Sequence, residues 1–285
     1  MKIHELKVDE YFDLDKILYG QCFRWNKNDE GKFIGVVENN VIKIWQDKNK
    51  IYFYALNNEN IEEYIKKYFD ININYKEIIE EIQDRVNNDL LKNIILYSKG
   101  TRILNQPVFE IVISYIFSAS NNIKRIQGSI EKLSKIYGNE LIFEGEKYYT
   151  FPTLKQLENV TIEDYREKIK IGYRDKYVFE TVKDIIEKRC ELATIQEMES
   201  ALAQKELLKL SGVGPKVADC ILLFSMNKRD VFPVDTWIDK VMKKYSNNDK
   251  ITKKQIQELV KKDFGKYSGI INHYMFYWGR ENKID

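Results

Sequence analysis

The stretch Leu210-Ser211-Gly212-Val213-Gly214-Pro215-Lys216-Val217-Ala218-Asp219 decides how this chain is read. An apolar helical pattern ends at Leu210, two glycines flank one valine, and a proline stands where the next helix opens. Glycines let the backbone come close to a ligand, and the N–H groups at the following helix start point outward together, which suits a phosphate. Lys216 lies in the first turn of that helix, where the N-terminal end carries about half a positive charge and disfavours a protonated amine. If it is also partly desolvated, it titrates low enough to act as a nucleophile; the plain alternative is an exposed surface lysine.

The segment Val231-Phe232-Pro233-Val234-Asp235-Thr236-Trp237 breaks the chain at Pro233 and sets Asp235, nineteen residues past the lysine, where an N-cap belongs. Ile238, Val241 and Met242 begin the next apolar face. Asp235 is a structural cap, or an acid facing one cleft with Lys216; the residues alone leave both open.

Around this segment the pattern is helical from about residue 75 almost to the end. Pro107 stands in the first turn of a helix opening at Gln106, with Val108, Ile111, Val112, Tyr115 and Ile116 on one stripe. A second helix starts near Asn121-Asn122, carries Ile123, Ile126, Ile130 and Leu133, and stops at Gly138. Further helices fit 161–170, 174–190, 203–210, 215–226, 235–245, 253–264 and 268–279. Upstream, residues 31–38, 41–47 and 50–56 are short and β-branched, separated by turns at Asn39-Asn40 and Asp47 to Asn49, which reads as a three-stranded antiparallel meander. Its apolar wall needs a cover, for which Phe12 to Ile17 and a helix over 59–69 are the candidates. The expected fold is α+β: an N-terminal antiparallel-sheet domain over 1–97 packed on a larger all-helical domain over 98–285.

Charge divides along the same line. Residues 1–97 hold 14 Lys/Arg against 18 Asp/Glu, and residues 98–285 hold 32 against 26, so the helical part is the basic one and mildly favours polyanions. Three scattered cysteines (Cys22, Cys190, Cys220) and two histidines (His4, His273) argue against a disulfide framework, a metal cluster and a Ser-His-Asp triad. No apolar run approaches the ~18 residues of a membrane helix and no signal-peptide core opens the chain, so a reduced, cytoplasmic (in a bacterium, nucleoid-associated) protein is expected.

The segments GVGPKVADC at 212–220 and PVDTW at 233–237 resemble the helix-hairpin-helix and Gly/Pro-Asp signature of the base-excision DNA glycosylase superfamily. A hairpin lysine marks its bifunctional glycosylase/lyase members. Gly20-Gln21-Cys22-Phe23-Arg24-Trp25, Asn121-Asn122-Ile123-Lys124-Arg125-Ile126 and Gly172-Tyr173-Arg174, in the same order along the chain, resemble the 8-oxoguanine DNA glycosylase/lyase branch. No four-cysteine cluster follows the hairpin, unlike the iron–sulfur members.

The resemblance implies that Lys216 attacks C1′ of an extruded nucleotide, displaces the base, and leaves a Schiff base from which β-elimination nicks the strand. Asp235 would stabilise positive charge developing on the sugar; its ionised form raises the lysine's pKa while dipole and burial lower it. Gly20, Cys220, Asn272 and Phe276 would form the base pocket, with the Gly20 carbonyl accepting the N7 proton that only the oxidised purine carries and Phe276 stacking on the base. Asn272 stands where a glutamine is usual. Arg125, Tyr173 and Arg174 would read the partner base, Asn121 and Asn122 would lie beside the vacated space, and Gly212 and Gly214 would hold backbone phosphate. Ser120 replaces an asparagine that fills that space, and Trp237 replaces a phosphate-contacting histidine. His273 reads as a helix-packing residue. No cofactor is required, although hairpin carbonyls offer a place for a structural monovalent cation. The expected partner is double-stranded DNA containing oxidised guanine, bound by a monomer with no membrane association. The rival readings are an alkyl-base glycosylase, against which Lys216 speaks, and a non-enzymatic DNA-binding module.

Overall fold

The computed structural model describes residues 2–284. In chain order its elements are β1 His4–Lys7, α1 Leu14–Ile17, β2 Trp25–Lys27, β3 Phe33–Val37, β4 Asn40–Asp47, β5 Lys50–Ala55, α2 Ile61–Tyr68, α3 Tyr75–Arg85, α4 Asp89–Ser98, α5 Val108–Ser118 and α6 Ile123–Tyr137. A hairpin of β6 Glu140–Phe143 and β7 Glu146–Tyr149 follows. Then come α7 Leu154–Leu157, α8 Ile162–Asp164, a π-turn Tyr165–Ile169, α9 Arg174–Ile186, α10 Leu192–Glu197, α11 Ser200–Leu207, α12 Pro215–Ser225, α13 Thr236–Ser246, α14 Lys253–Asp263 and α15 Ser268–Glu281.

The meander forms as its alternation predicts, with Ile42, Ile44, Ile51 and Phe53 facing inward, and it is covered by Phe12, Leu14, Ile17 and the Ile61, Ile65, Tyr68 stripe of α2. Two edge strands widen it to five in the order β1-β5-β4-β3-β2. At four and three residues, β1 and β2 are too short to show a period, and each is recruited by pairing with a neighbour in the sheet. The first two-residue turn sits one position earlier than expected, at Glu38-Asn39, and the second falls within its expected span at Lys48-Asn49; Glu38 and Lys48, not the asparagines, take the positive φ, because strand pairing decides which residue turns.

The helical part is not wholly helical. The β6–β7 hairpin, turned at Glu144 and Gly145, reaches back to the sheet, stacking Phe143 on Tyr54 while Glu144 accepts from Lys43 Nζ at 3.0 Å and from the Tyr54 hydroxyl at 2.5 Å. Pro107 is the N-cap of α5 rather than a first-turn residue, and Gln106 lies outside the helix. Helices α3 and α4, grouped with the sheet in the division at residue 97, bury Tyr75, Ile79, Ile82, Leu91 and Ile94 in the larger helical core.

Residues 20–25 stitch the two cores. Phe23 lies in the helical core, edge-on to Tyr115, and Trp25 lies in the sheet core, donating to the Tyr68 hydroxyl at 2.9 Å. Between them Gln21 is a buried four-way link. Its Nε2 donates to the carbonyls of Ile17 and Arg102, its Oε1 accepts from Leu104 N–H, and its carbonyl accepts from Gln106.

Candidate active site

Helix α12 begins at Gly214, which caps it without a side-chain hydrogen bond and is followed by Pro215, so the first-turn N–H groups of Lys216 and Val217 are left open. Gly212 has φ +78°, and a Cβ there would lie 2.8 Å from Tyr177 Cβ, so glycine is required both by conformation and by the close packing of α9. Thr181 donates its hydroxyl to the Ser211 carbonyl at 3.0 Å and Ser211 donates to Glu180 at 2.5 Å, fixing the hairpin on α9.

Behind the hairpin opens a cavity of about 400 Å3, counted out to its mouth, which brings together Gly20, Lys216, Cys220, Asp235, Asn272 and Phe276. These residues come from the N-terminal segment, α12, the α12–α13 connection and α15. Tyr115, Phe224, Pro233, Ile238 and His273 complete the wall. The Lys216 ammonium sits 5.2 Å from the centroid of Tyr115, a cation–π contact inside a largely apolar lining. Asp235 is indeed an N-cap, accepting from Ile238 N–H at 2.8 Å, and it also lines the cavity, so its two sequence readings are compatible. Burial pushes its carboxyl above the ordinary carboxylate value, while the Ile238 N–H and the Lys216 charge pull it back. Burial likewise lifts the Cys220 thiol to about 11 against the pull of Lys216, so Cys220 is a neutral thiol beside the amine at neutral pH.

Gly20 has φ +80°, and an added Cβ would fall 2.7 Å from the Phe276 ring, so ring and glycine backbone are in direct contact. Asn272 is buried and donates to the Pro233 carbonyl at 2.9 Å, which ties α15 to the segment carrying Asp235. His273 does more than pack. Its ring is nearly parallel to Phe276 at 6.2 Å, edge-on to Phe224 at 5.8 Å, and 3.2 Å from Gln21 Nε2; burial lowers its pKa to about 4, so it is neutral. Tyr115 carried no local signal in the sequence, since it joins the cavity from α5. For His273, the place beside Asn272 and one turn from Phe276 was the available hint.

Most of the residues assigned to the partner base and to the vacated space bond groups within the chain. Arg174 is buried, donating Nε to the Ala119 carbonyl at 2.8 Å, Nη1 to Ile171 at 3.2 Å and Nη2 to Ser120 at 3.0 Å. Tyr173, 56% exposed, donates its hydroxyl to Ala119 at 3.1 Å. Asn121 donates to the Phe117 carbonyl, and Asn122 caps α6 by accepting from Arg125 N–H. These bonds hold Ser120 at φ +49°, the left-handed region that a serine adopts only under constraint. The Arg125 guanidinium is exposed and has no partner among the described residues. Trp237 is half-buried with the Lys240 ammonium 5.4 Å from its ring.

A helix-hairpin-helix whose following helix delivers a lysine into a cavity that a capping aspartate also lines defines a base-excision enzyme of the lysine-bearing kind. Residues 5–112 match the family model for the 8-oxoguanine DNA glycosylase N-terminal domain, and residues 113–266 match that of the HhH-GPD superfamily of base excision DNA repair proteins. The chain belongs to that superfamily, in its 8-oxoguanine DNA glycosylase/lyase branch. A probable N-glycosylase/DNA lyase of Methanothermobacter thermautotrophicus is 30% identical over 79% of this chain and 77% of its own length. The N-glycosylase/DNA lyase of Saccharomyces cerevisiae is 28% identical over 79% of this chain and 65% of its own length. The 8-oxoguanine glycosylase/lyase of Clostridium acetobutylicum, solved with double-stranded DNA containing cytosine opposite 8-oxoG, superposes with a TM-score of 0.92 at 36% identity over 100% of this chain and 99% of that one. Base-excision repair of double-stranded DNA is accordingly the activity class of this chain, and no described helix is long and apolar enough to cross a membrane.

Proposed function

We propose that the chain excises 8-oxoguanine from duplex DNA with Lys216 as nucleophile and then nicks the abasic strand, acting in the cytoplasm or on the nucleoid. One observation carries this reading: a single cavity is lined at once by Lys216, Asp235 and the four residues assigned to the base.

Neutral Lys216 Nζ attacks C1′ of the extruded nucleotide, the C1′–N9 bond breaks, and the base leaves with a proton. The amine adduct opens the sugar to an iminium, a C2′ proton is removed, and the C3′–O bond breaks with the phosphate leaving on the flanking strand. Asp235, held by Ile238 N–H in the cavity it shares with Lys216, stabilises the cationic sugar and the iminium. Gly20 presents a bare backbone beside Phe276, so its carbonyl accepts the N7 proton of the oxidised purine, whereas guanine presents a lone pair there and is repelled. These steps call for no cofactor. At the hairpin, the Leu210 carbonyl accepts from Val213 N–H and the Ser211 carbonyl from Thr181, each with a lone pair left for a monovalent cation that would stiffen the turn.

Borohydride trapping tests the reading. Wild-type protein should yield a covalent adduct on duplex containing 8-oxoguanine, and Lys216→Gln should yield none. No adduct from the wild type, with binding intact, would leave only a DNA-binding scaffold.

A further inference from the structure

Lys216 borders a second, larger opening, and it is the residue that the two cavities share. This groove, about 1830 Å3 out to its mouth, runs from Pro215 and Lys216 along the 230–234 segment to α14 and the start of α15. Its rim carries Lys253, Lys254, Lys261 and Lys266, all exposed. We infer that this groove seats the backbone of the DNA strand flanking the lesion, a second phosphate track continuous with the hairpin. The inference rests on the reading above that lesion-bearing duplex lies across the hairpin.

Three observations point the same way. On the sheet side of the molecule many lysines are paired: Lys27 with Asp15, Lys32 with Glu30, Lys43 with Glu144, Lys50 with Glu5 and Lys99 with Glu10. The four groove lysines have no carboxylate within 4.0 Å among the described residues; Lys266 instead lies over the Tyr267 ring at 4.7 Å. Residues 250–266 contain six lysines and two acids, and one of those acids, Asp263, accepts the Tyr245 hydroxyl at 2.7 Å. Unpaired, exposed ammonium groups in a row are what a polyanion neutralises with release of its counterions.

Spacing and rigidity fit as well. Eight residues of helix separate Lys253 from Lys261, about 12 Å at 1.5 Å per residue, a length over which one DNA strand presents three to four phosphates at about 3.4 Å each along the axis. Helix α14 does not float. A Thr252–Gln255 capping box fixes its start, and Gln257 donates to the Phe232 carbonyl at 3.1 Å, tying the lysine wall to the segment that ends in Asp235. Of the two carboxyls that line the groove, Asp219 is buried, accepts from Gln204 and is raised by burial to about 6, and exposed Asp230 accepts from the Ser200 hydroxyl at 2.5 Å. Among the lining residues, lysines outnumber both.

The test compares wild type with Lys253→Gln/Lys254→Gln/Lys261→Gln by fluorescence anisotropy across a salt series. One 8-oxoguanine duplex extends past the groove and the other is trimmed close to the lesion. On the long duplex the slope of log affinity against log salt should fall by about 0.9 for each phosphate that is no longer neutralised, about 2 to 3 in all. On the trimmed duplex the two proteins should bind alike. The corresponding Lys→Arg triple variant should recover the long-duplex slope, which separates lost charge from damaged fold. An unchanged slope on the long duplex overturns the proposal, as does equal weakening on both duplexes or a stoichiometry of two duplexes per chain. Failure of the functional reading is seen separately, as absence of wild-type trapping.

Discussion

The base cavity and the Ala119–Ser120 turn use similar residue types to opposite ends. In the cavity, polar atoms are left facing empty space: the Lys216 amine is over a ring rather than in an ion pair, and Asp235 is held by backbone N–H alone. At the turn, Asn121, Asn122, Tyr173 and Arg174 each bond a backbone group of their own chain, while the side chains of Ser120 and Arg125 bond nothing among the described residues. Hydrogen-bond accounting thus sets Lys216 and Asp235 apart from the residues that shape the turn, although Asn272 of the same cavity is bonded to the Pro233 carbonyl. A motif names both kinds without distinction.

The largest expected effect belongs to the cavity. Asp235→Asn retains an N-cap of equal quality, so the fold should hold while excision slows by about 100-fold or more, measured in single-turnover assays. Loss of folding instead would make Asp235 a structural residue and dissolve the contrast. At the turn the order reverses. Arg174→Ala strips donors from three carbonyls and should cost about 3 kcal/mol of stability in urea titration. Unchanged stability with weakened lesion binding would move Arg174 to the reading side.

His273 offers a test by pH. An unfolded histidine takes a proton near 6.5, but the buried ring does so only at about 4. Stability is therefore fully present above 6.5 and lost as pH falls through 4, by about 3 kcal/mol at the acid end. His273→Phe keeps the stack on Phe276 and should flatten that slope relative to wild type; parallel pH profiles would show the ring to be solvated. The smallest effects again fall at the turn. Asn122→Ala should cost about 1 kcal/mol as a lost cap. Arg125→Ala should leave the melting temperature unchanged while narrowing any preference for excision opposite cytosine over adenine; equal rates in the wild type would mean that Arg125 reads nothing.

The hairpin, the place of Lys216 in a helix's first turn and the capping aspartate were legible because each depends on local rules: glycine conformation, proline at a helix start, an aspartate at an N-cap. The convergence of Gly20, Cys220, Asn272 and Phe276 was legible through family resemblance. Local pattern carried neither β1 and β2 nor the β6–β7 hairpin, whose few residues are held by their partners in the fold. The same holds for Tyr115 in the cavity wall and for Arg174, whose carbonyl partners at 119 and 120 lie more than fifty residues upstream.

Gln21 joins Ile17, Arg102, Leu104 and Gln106 through one amide and its own carbonyl, directly beside the glycine that meets Phe276. In the proposed function the lesion's slot is a pocket of the helical part that Gly20 closes at the seam with the sheet. A modest loosening between sheet and helices widens it without melting either half. Warming should extinguish excision some degrees before circular dichroism records any loss of helix, and saturating lesion DNA, by gluing the seam, should draw the two temperatures together.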